Sequence, residues 1–146
     1  MKIILVFHCC IVLSFLDDID VAGRLMVAMS ETVTKPLKAA NVYFEKGSDT
    51  PFTGILYGRY ENGHMLTMRQ YIYGVANGHW INFDPQGGME IKGTYIDIKA
   101  EGPVTPYYET DQVKAEGQYV HKNNPIGKWI IYDLDGEIAH EMTYTK

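Results

Sequence analysis

The stretch GHWINFDPQGGMEIKGTY, Gly78 to Tyr95, decides the fold. A short aromatic run, HWINF, meets a turn-forming phrase, DPQGG, and then a longer run, MEIKGTYI. In that second run Met89, Ile91, Gly93 and Tyr95 alternate with Glu90, Lys92 and Thr94. Alternation with period two marks a strand that has one buried and one wet face. Two such runs joined by a glycine-bearing turn predict a β-hairpin, the glycine supplying the positive φ that the turn needs.

The phrase recurs on both sides. Gly54, Gly78, Gly102 and Gly127 each open a unit, 24 or 25 residues apart. Two residues after each stands Leu56, Trp80, Val104 or Trp129; eleven after stands Met65, Met89, Val113 or Ile138. Seventeen after, every unit has a tyrosine: Tyr71, Tyr95, Tyr119, Tyr144. Fixed spacing over about four units means one supersecondary element stacked on copies of itself, neighbours sharing a core. These positions, with Phe83 and Tyr132 and the turn glycines Gly87 and Gly136, form the expected repeat core. The fourth unit puts Ile138, Met142 and Tyr144 on its apolar side, where His140 interrupts the pattern. In the third unit Asp111 replaces the turn glycine, and aspartate tolerates the left-handed region, so a positive φ is expected there. The first unit reads as shifted, with Glu61-Asn62-Gly63 as a turn one residue shorter. The 25-residue spacing before the fourth unit places an extra residue within HKNNP, 121 to 125.

Bulk properties bound the function. The chain has 146 residues, 46% hydrophobic and 21% charged, which suits one globular domain rather than a disordered chain. Eleven tyrosines and 14 glycines fit short strands with tight turns. The net charge of −5 comes without any basic stripe, which argues against nucleic-acid binding and against adhesion to anionic lipid heads. Cys9 and Cys10 are adjacent and cannot staple distant segments, and no Cys or His spacing suggests zinc.

Residues 1 to 16, MKIILVFHCCIVLSFL, combine a basic start with an apolar run too short for a full membrane span. The layout fits an export signal or an N-terminal anchor. The alternative is a strand or helix belonging to the fold. No clean small-residue cleavage site follows, only Ala22 and Ala28. Residues 17 to 40 read as a bridge or cap, with LMVAM, 25 to 29, as a strand or helical turn, and residues 41 to 146 as the repeat domain. Export or envelope attachment is the expected location, with the cytoplasm as the alternative.

Trp80-Phe83-Gly87, Trp129-Tyr132-Gly136 and the opening phrase Pro51-Phe52-Thr53-Gly54 carry a resemblance. Over about residues 42 to 146 the chain resembles the variant MORN repeat of bacterial YwqK-type antitoxin-like proteins. The third unit departs most, with Val104 for tryptophan and Asp111 for glycine. The resemblance implies an all-β fold, a twisted single-layer antiparallel sheet built hairpin after hairpin, and a role in protein interaction. Some relatives carry antitoxin or immunity annotations.

Chemistry is weakly signalled. His79 stands where other units have Ile55, Pro103 and Lys128, a freely varied position that suits solvent. His64 follows a turn glycine, His121 lies in a loop, and His140 reads as a partly buried core residue. Glu90, Glu116 and Glu141 are expected near one outward column beside Lys92 and Lys114, a solvated charge ladder rather than a catalytic pair. The glycines sit in hairpin turns, unlike a phosphate-cradling loop between strand and helix. No catalytic residue, metal site or cofactor is expected. Tyr57, Tyr60, Tyr73, Tyr107 and Tyr108 exceed what the repeat requires; some complete the apolar face, and the rest are candidates for partner contact, tyrosine offering rigid area with a polar tip. The reading is a non-catalytic module that binds an unknown protein. The alternatives are a structural or lipid-proximal envelope component, whose membrane contact would run through residues 1 to 16, and an enzyme acting on polysaccharide or a base.

Overall fold

The computed structural model describes residues 25–37, 40–96, 99–121 and 124–145. The expected signal or anchor at 1 to 16, with Cys9 and Cys10, lies outside the described residues. The rest is all-β. Strands β4 (Gly54–Arg59), β5 (Met65–Ile72), β6 (Val75–Phe83), β7 (Met89–Ile96), β8 (Lys99–Pro106), β9 (Ala115–Val120), β10 (Asn124–Tyr132) and β11 (Ile138–Tyr144) follow one another in a twisted sheet, each antiparallel to the next. Sequence neighbours are sheet neighbours throughout, as stacked hairpins require.

The N-terminal end is closed differently. β1 (Met26–Ala28) pairs parallel to β4, Met26 opposite Ile55, and completes a nine-stranded sheet. A 3-10 turn at Met29–Glu31 then leads into β2 (Thr32–Leu37), which pairs with β3 (Ala40–Glu45) as a separate two-stranded sheet. LMVAM is thus both strand and helical turn. The β2–β3 hairpin spans the expected boundary at 40/41. It docks on the β5–β6 turn, the Tyr43 N–H donating to the Gly74 carbonyl (2.8 Å), and on the segment before β4, the Phe52 N–H donating to the Tyr43 carbonyl (2.9 Å). So the described residues form one large sheet with a small second sheet at its first end.

The wide turns show why the spacing is fixed. Four equivalent turns, Tyr60–His64, Asp84–Gly88, Tyr108–Gln112 and Asp133–Glu137, share one hydrogen-bond pattern, in which the first residue's N–H donates to the fifth residue's carbonyl and its carbonyl accepts the fourth residue's N–H, all within 2.8–3.1 Å. Their fourth residues have positive φ: Gly63 88°, Gly87 96°, Asp111 61°, Gly136 83°. Asp111 keeps the turn, as expected, and adds a bond, its Oδ1 accepting the Met89 N–H of the preceding unit at 3.0 Å. The first unit's turn is not shorter than the others, which corrects that expectation.

Beside these turns the register slips by one residue: Asn82 faces Ile91 but Phe83 faces Met89, leaving Glu90 unpaired. The same shift occurs at Gly58/Arg59 and at Ile131/Tyr132. A bulge reverses the parity of the strand beyond it. Met89 therefore joins Ile55, Met68, Ile81, Phe83 and Tyr107 in one buried cluster, with Met65 and Val113 against it. Ile91, Tyr95 and Tyr119 belong to a different cluster, around Trp80, Val104, Ala115 and Trp129. Simple alternation had placed Met89 with Ile91, Gly93 and Tyr95. The sheet buries apolar side chains on both faces.

The two indoles converge on β8. A Cβ at Gly93 would meet the Trp80 ring, and one at Gly117 would collide with Trp129, while Val104 lies between them in the same cluster. Tyr95 and Tyr119 brace them, with ring centroids 5.8 Å from Trp80 and 5.5 Å from Trp129. Both indole Nε1 atoms are buried without a hydrogen-bond partner, so these rings hold the core by packing alone. A third cluster, of Phe52, Leu56 and Tyr71, joins the first unit to β1 and β3 through Val27, Met29 and Tyr43.

Two core expectations fail at the far end. Ile138 is 57% exposed and Tyr144 37%, because β11 is the last strand of the sheet and no described strand follows to cover it. Tyr132 is half-buried.

Candidate functional site: an apolar rim and an open edge

The five surplus tyrosines meet different fates. Tyr107 is buried and belongs to the core, which removes it from any contact surface. Tyr60 and Tyr108 are clamps between successive turns: their hydroxyls donate to the carbonyls of Phe83 (2.8 Å) and Tyr132 (2.7 Å). Tyr57 is half-buried against the first cluster, with the Arg59 guanidinium 5.4 Å from its ring centre. Only Tyr73 stands clear, 77% exposed.

Tyr73 and Gly74 form the tight turn between β5 and β6, with φ of 49° and 78°. Two successive positive φ values match a two-residue hairpin turn, which favours Asn-Gly. A tyrosine there is strained, held by its N–H donating to Thr53 Oγ1 at 3.0 Å. Ile72, at the end of β5, is 38% exposed, and its repeat equivalent Ile96, at the end of β7, is 50% exposed. One strand, β6, lies between them, so two strand spacings put them about 10 Å apart. Ile72, Tyr73 and Ile96 thus make an apolar rim along the tight-turn end of the sheet.

The clamps expose a second order in the repeat. Tyr60 and Tyr108 are 48 residues apart, while Asp84 and Asp133, 49 apart, cap their own turns. Asp84 Oδ1 accepts from the N–H groups of Gln86 and Gly88, and Asp133 Oδ1 from those of Asp135 and Glu137, each at 2.9 Å. Trp80 and Trp129 share that alternation, as do Gln70-Tyr71 and Gln118-Tyr119. The array is therefore two copies of a double unit, the tyrosine-turn hairpin followed by the aspartate-turn hairpin. The 24-residue frame hides this because it aligns Tyr60 with Asp84.

Several ionisable groups have structural partners. Tyr71 has its pKa raised by burial and then by neighbouring Tyr43. The Tyr132 hydroxyl donates to Glu116 Oε2 at 2.8 Å, and that bond raises its pKa. Glu141 pairs with Lys128 at 2.7 Å. Glu116 and Glu141 flank Ile130, whereas Glu90 is the unpaired bulge residue, so the three acids do not form one column. His64 Nδ1 lies 2.9 Å from the Pro85 carbonyl, and His121 lies 3.6 Å from Glu101. His79 is exposed. His140 is exposed too, contrary to its expected partial burial, because it lies on the last strand. Among the described residues no group of three His, Cys, Asp or Glu side chains could hold a metal ion. A shallow groove of about 160 Å³ is lined by His79, Ile81, Lys92, Thr94 and Thr105.

Residues 100–121 match the family of MORN repeat variants. That span covers most of β8 and all of β9, the hairpin carrying Val104 and Asp111, which the sequence marked as the most divergent unit. No curated protein matches the chain. What the comparison shows is a MORN-type repeat in the third hairpin of an array whose four hairpins share one turn geometry.

Proposed function

We propose that the protein is a non-catalytic repeat module that binds another protein through the rim Ile72, Tyr73 and Ile96. The observation that carries this reading is Tyr73: a large aromatic kept 77% exposed in a left-handed turn, where asparagine or glycine would be less strained. Exposed aromatic and aliphatic side chains on a rigid support are the usual anchors of protein interfaces. An antitoxin- or immunity-like role, in keeping with the YwqK-type resemblance, is the finer form of the proposal. Attachment to the cell envelope through residues 1 to 16 belongs with it.

The test is photo-crosslinking from position 73 in the full chain, in its native host. Recurrent capture of one protein, abolished by Ile96→Ser, supports the reading. Vesicle flotation that depends on residues 1 to 16, with no protein captured from position 73, supports the structural or lipid-proximal alternative instead.

A further inference from the structure

Inside the array, each unit's second strand carries the first strand of the next: β5 carries β6, β7 carries β8 and β9 carries β10. β11 has β10 on one flank and no described strand on the other. β7 and β11 are the same strand of two like units, matched residue for residue at a spacing of 49. β7 therefore displays β11 in its occupied form.

On β7 the Glu90 carbonyl accepts the Tyr107 N–H at 2.9 Å, and the Met89 N–H donates to Asp111 Oδ1 at 3.0 Å. The Tyr107 ring is buried with Phe83 and Met89. The corresponding groups at the far end are the Ala139 carbonyl, the Ile138 N–H, Tyr132 and Ile138. Met89 is 4% exposed and Ile138 57%, at the same place on the same scaffold. That difference measures a missing cover. Beside it lies a hollow of about 340 Å³ lined by Val113, Glu116, Tyr132 and Gly136. Exposed edge strands are normally blunted by lysine or proline, and residues 138–144, IAHEMTY, contain neither. The adjoining turn carries Asp133, Asp135 and Glu137.

We propose that β11 takes an extended segment of a partner protein by strand addition, an aromatic side chain of that segment seating on Ile138 and Tyr132. This rests on the reading of the chain as a protein-binding module. Main-chain hydrogen bonds supply the attachment, and the apolar shelf selects the aromatic. The acids of the turn select basic residues beside it. A second copy of the chain is a poorer occupant, because its own β11 would bring the same acids to the contact.

The array supplies its own probe, a synthetic peptide with the sequence of β8 and the two tyrosines after it, KAEGPVTPYY. Added to the full-length protein, it slows amide hydrogen exchange along β11 by at least about tenfold. Ile138→Lys, at an exposed position that leaves the core intact, abolishes the protection. A peptide with serine for both tyrosines binds at least about fivefold more weakly. Absence of protection at millimolar peptide, or protection that survives Ile138→Lys, overturns the proposal. Protection of β11 by self-association without peptide overturns it too, by making the occupant a second copy. Crosslinking from Tyr73 reads the other surface, so capture there with β11 untouched sinks the edge and leaves the binding module standing.

Discussion

Gly93 and Gly117 lack side chains because indoles fill the space a Cβ would need. Gly117→Ala should therefore cost about 1–3 kcal/mol in chemical denaturation, the range for overpacking a closed core. A change below about 0.5 kcal/mol would mean that Trp129 moves aside freely. Tyr73 runs the other way. Tyr73→Asn keeps the left-handed turn with less strain and should raise stability by about 1 kcal/mol while weakening partner capture. A stabilised variant that still captures its partner would remove Tyr73 from the interface. Tyr71 predicts a pH response. Burial raises its pKa above the ordinary 10.0 in the folded state. Below pH 10 both folded and unfolded tyrosine are protonated; above it the unfolded chain ionises first. Stability should fall as pH climbs past 10, and Tyr71→Phe should flatten that decline in pH-dependent urea melts.

At the scale of elements, the wide turn and its bulge set the architecture. The turn requires one residue of positive φ, satisfied by three glycines and by Asp111. The bulge sends the side chains nearest the turn to one face and those further along to the other. Trp80 and Trp129 then close a cluster over β8, where they and Val104 are nearly sealed. Trp80→Ala should cost about 3–5 kcal/mol, as removal of a large buried aromatic does. A loss under about 1 kcal/mol, read by thermal or urea unfolding, would show that the two double units do not lean on this contact. The spacing of turns and tryptophans was legible in the sequence because turn chemistry and ring size are local. The bulge was not legible, because it adds no unusual residue; it shows only when two strands are laid in register.

Across the whole molecule, burial is graded. Ile55 and Leu56 are fully buried near the capped first end, while Ile138 and Tyr144 lie open at the last strand. In an array each unit is held by its neighbours, so a unit with one neighbour opens first. Native-state hydrogen exchange should accordingly be slowest in β4 to β6 and fastest in β11; uniform protection across the sheet would contradict nearest-neighbour coupling. By itself, the order of residues determined an all-β array of four hairpins, its turn positions, both core tryptophans and three of the four frame tyrosines, because turn chemistry, ring size and repeat spacing are written along the chain. Tertiary structure alone decided which surplus tyrosines remain exposed, that both faces bury apolar side chains, and that no described strand lies beyond β11. Those properties depend on what lies beside each strand, which the local pattern does not record.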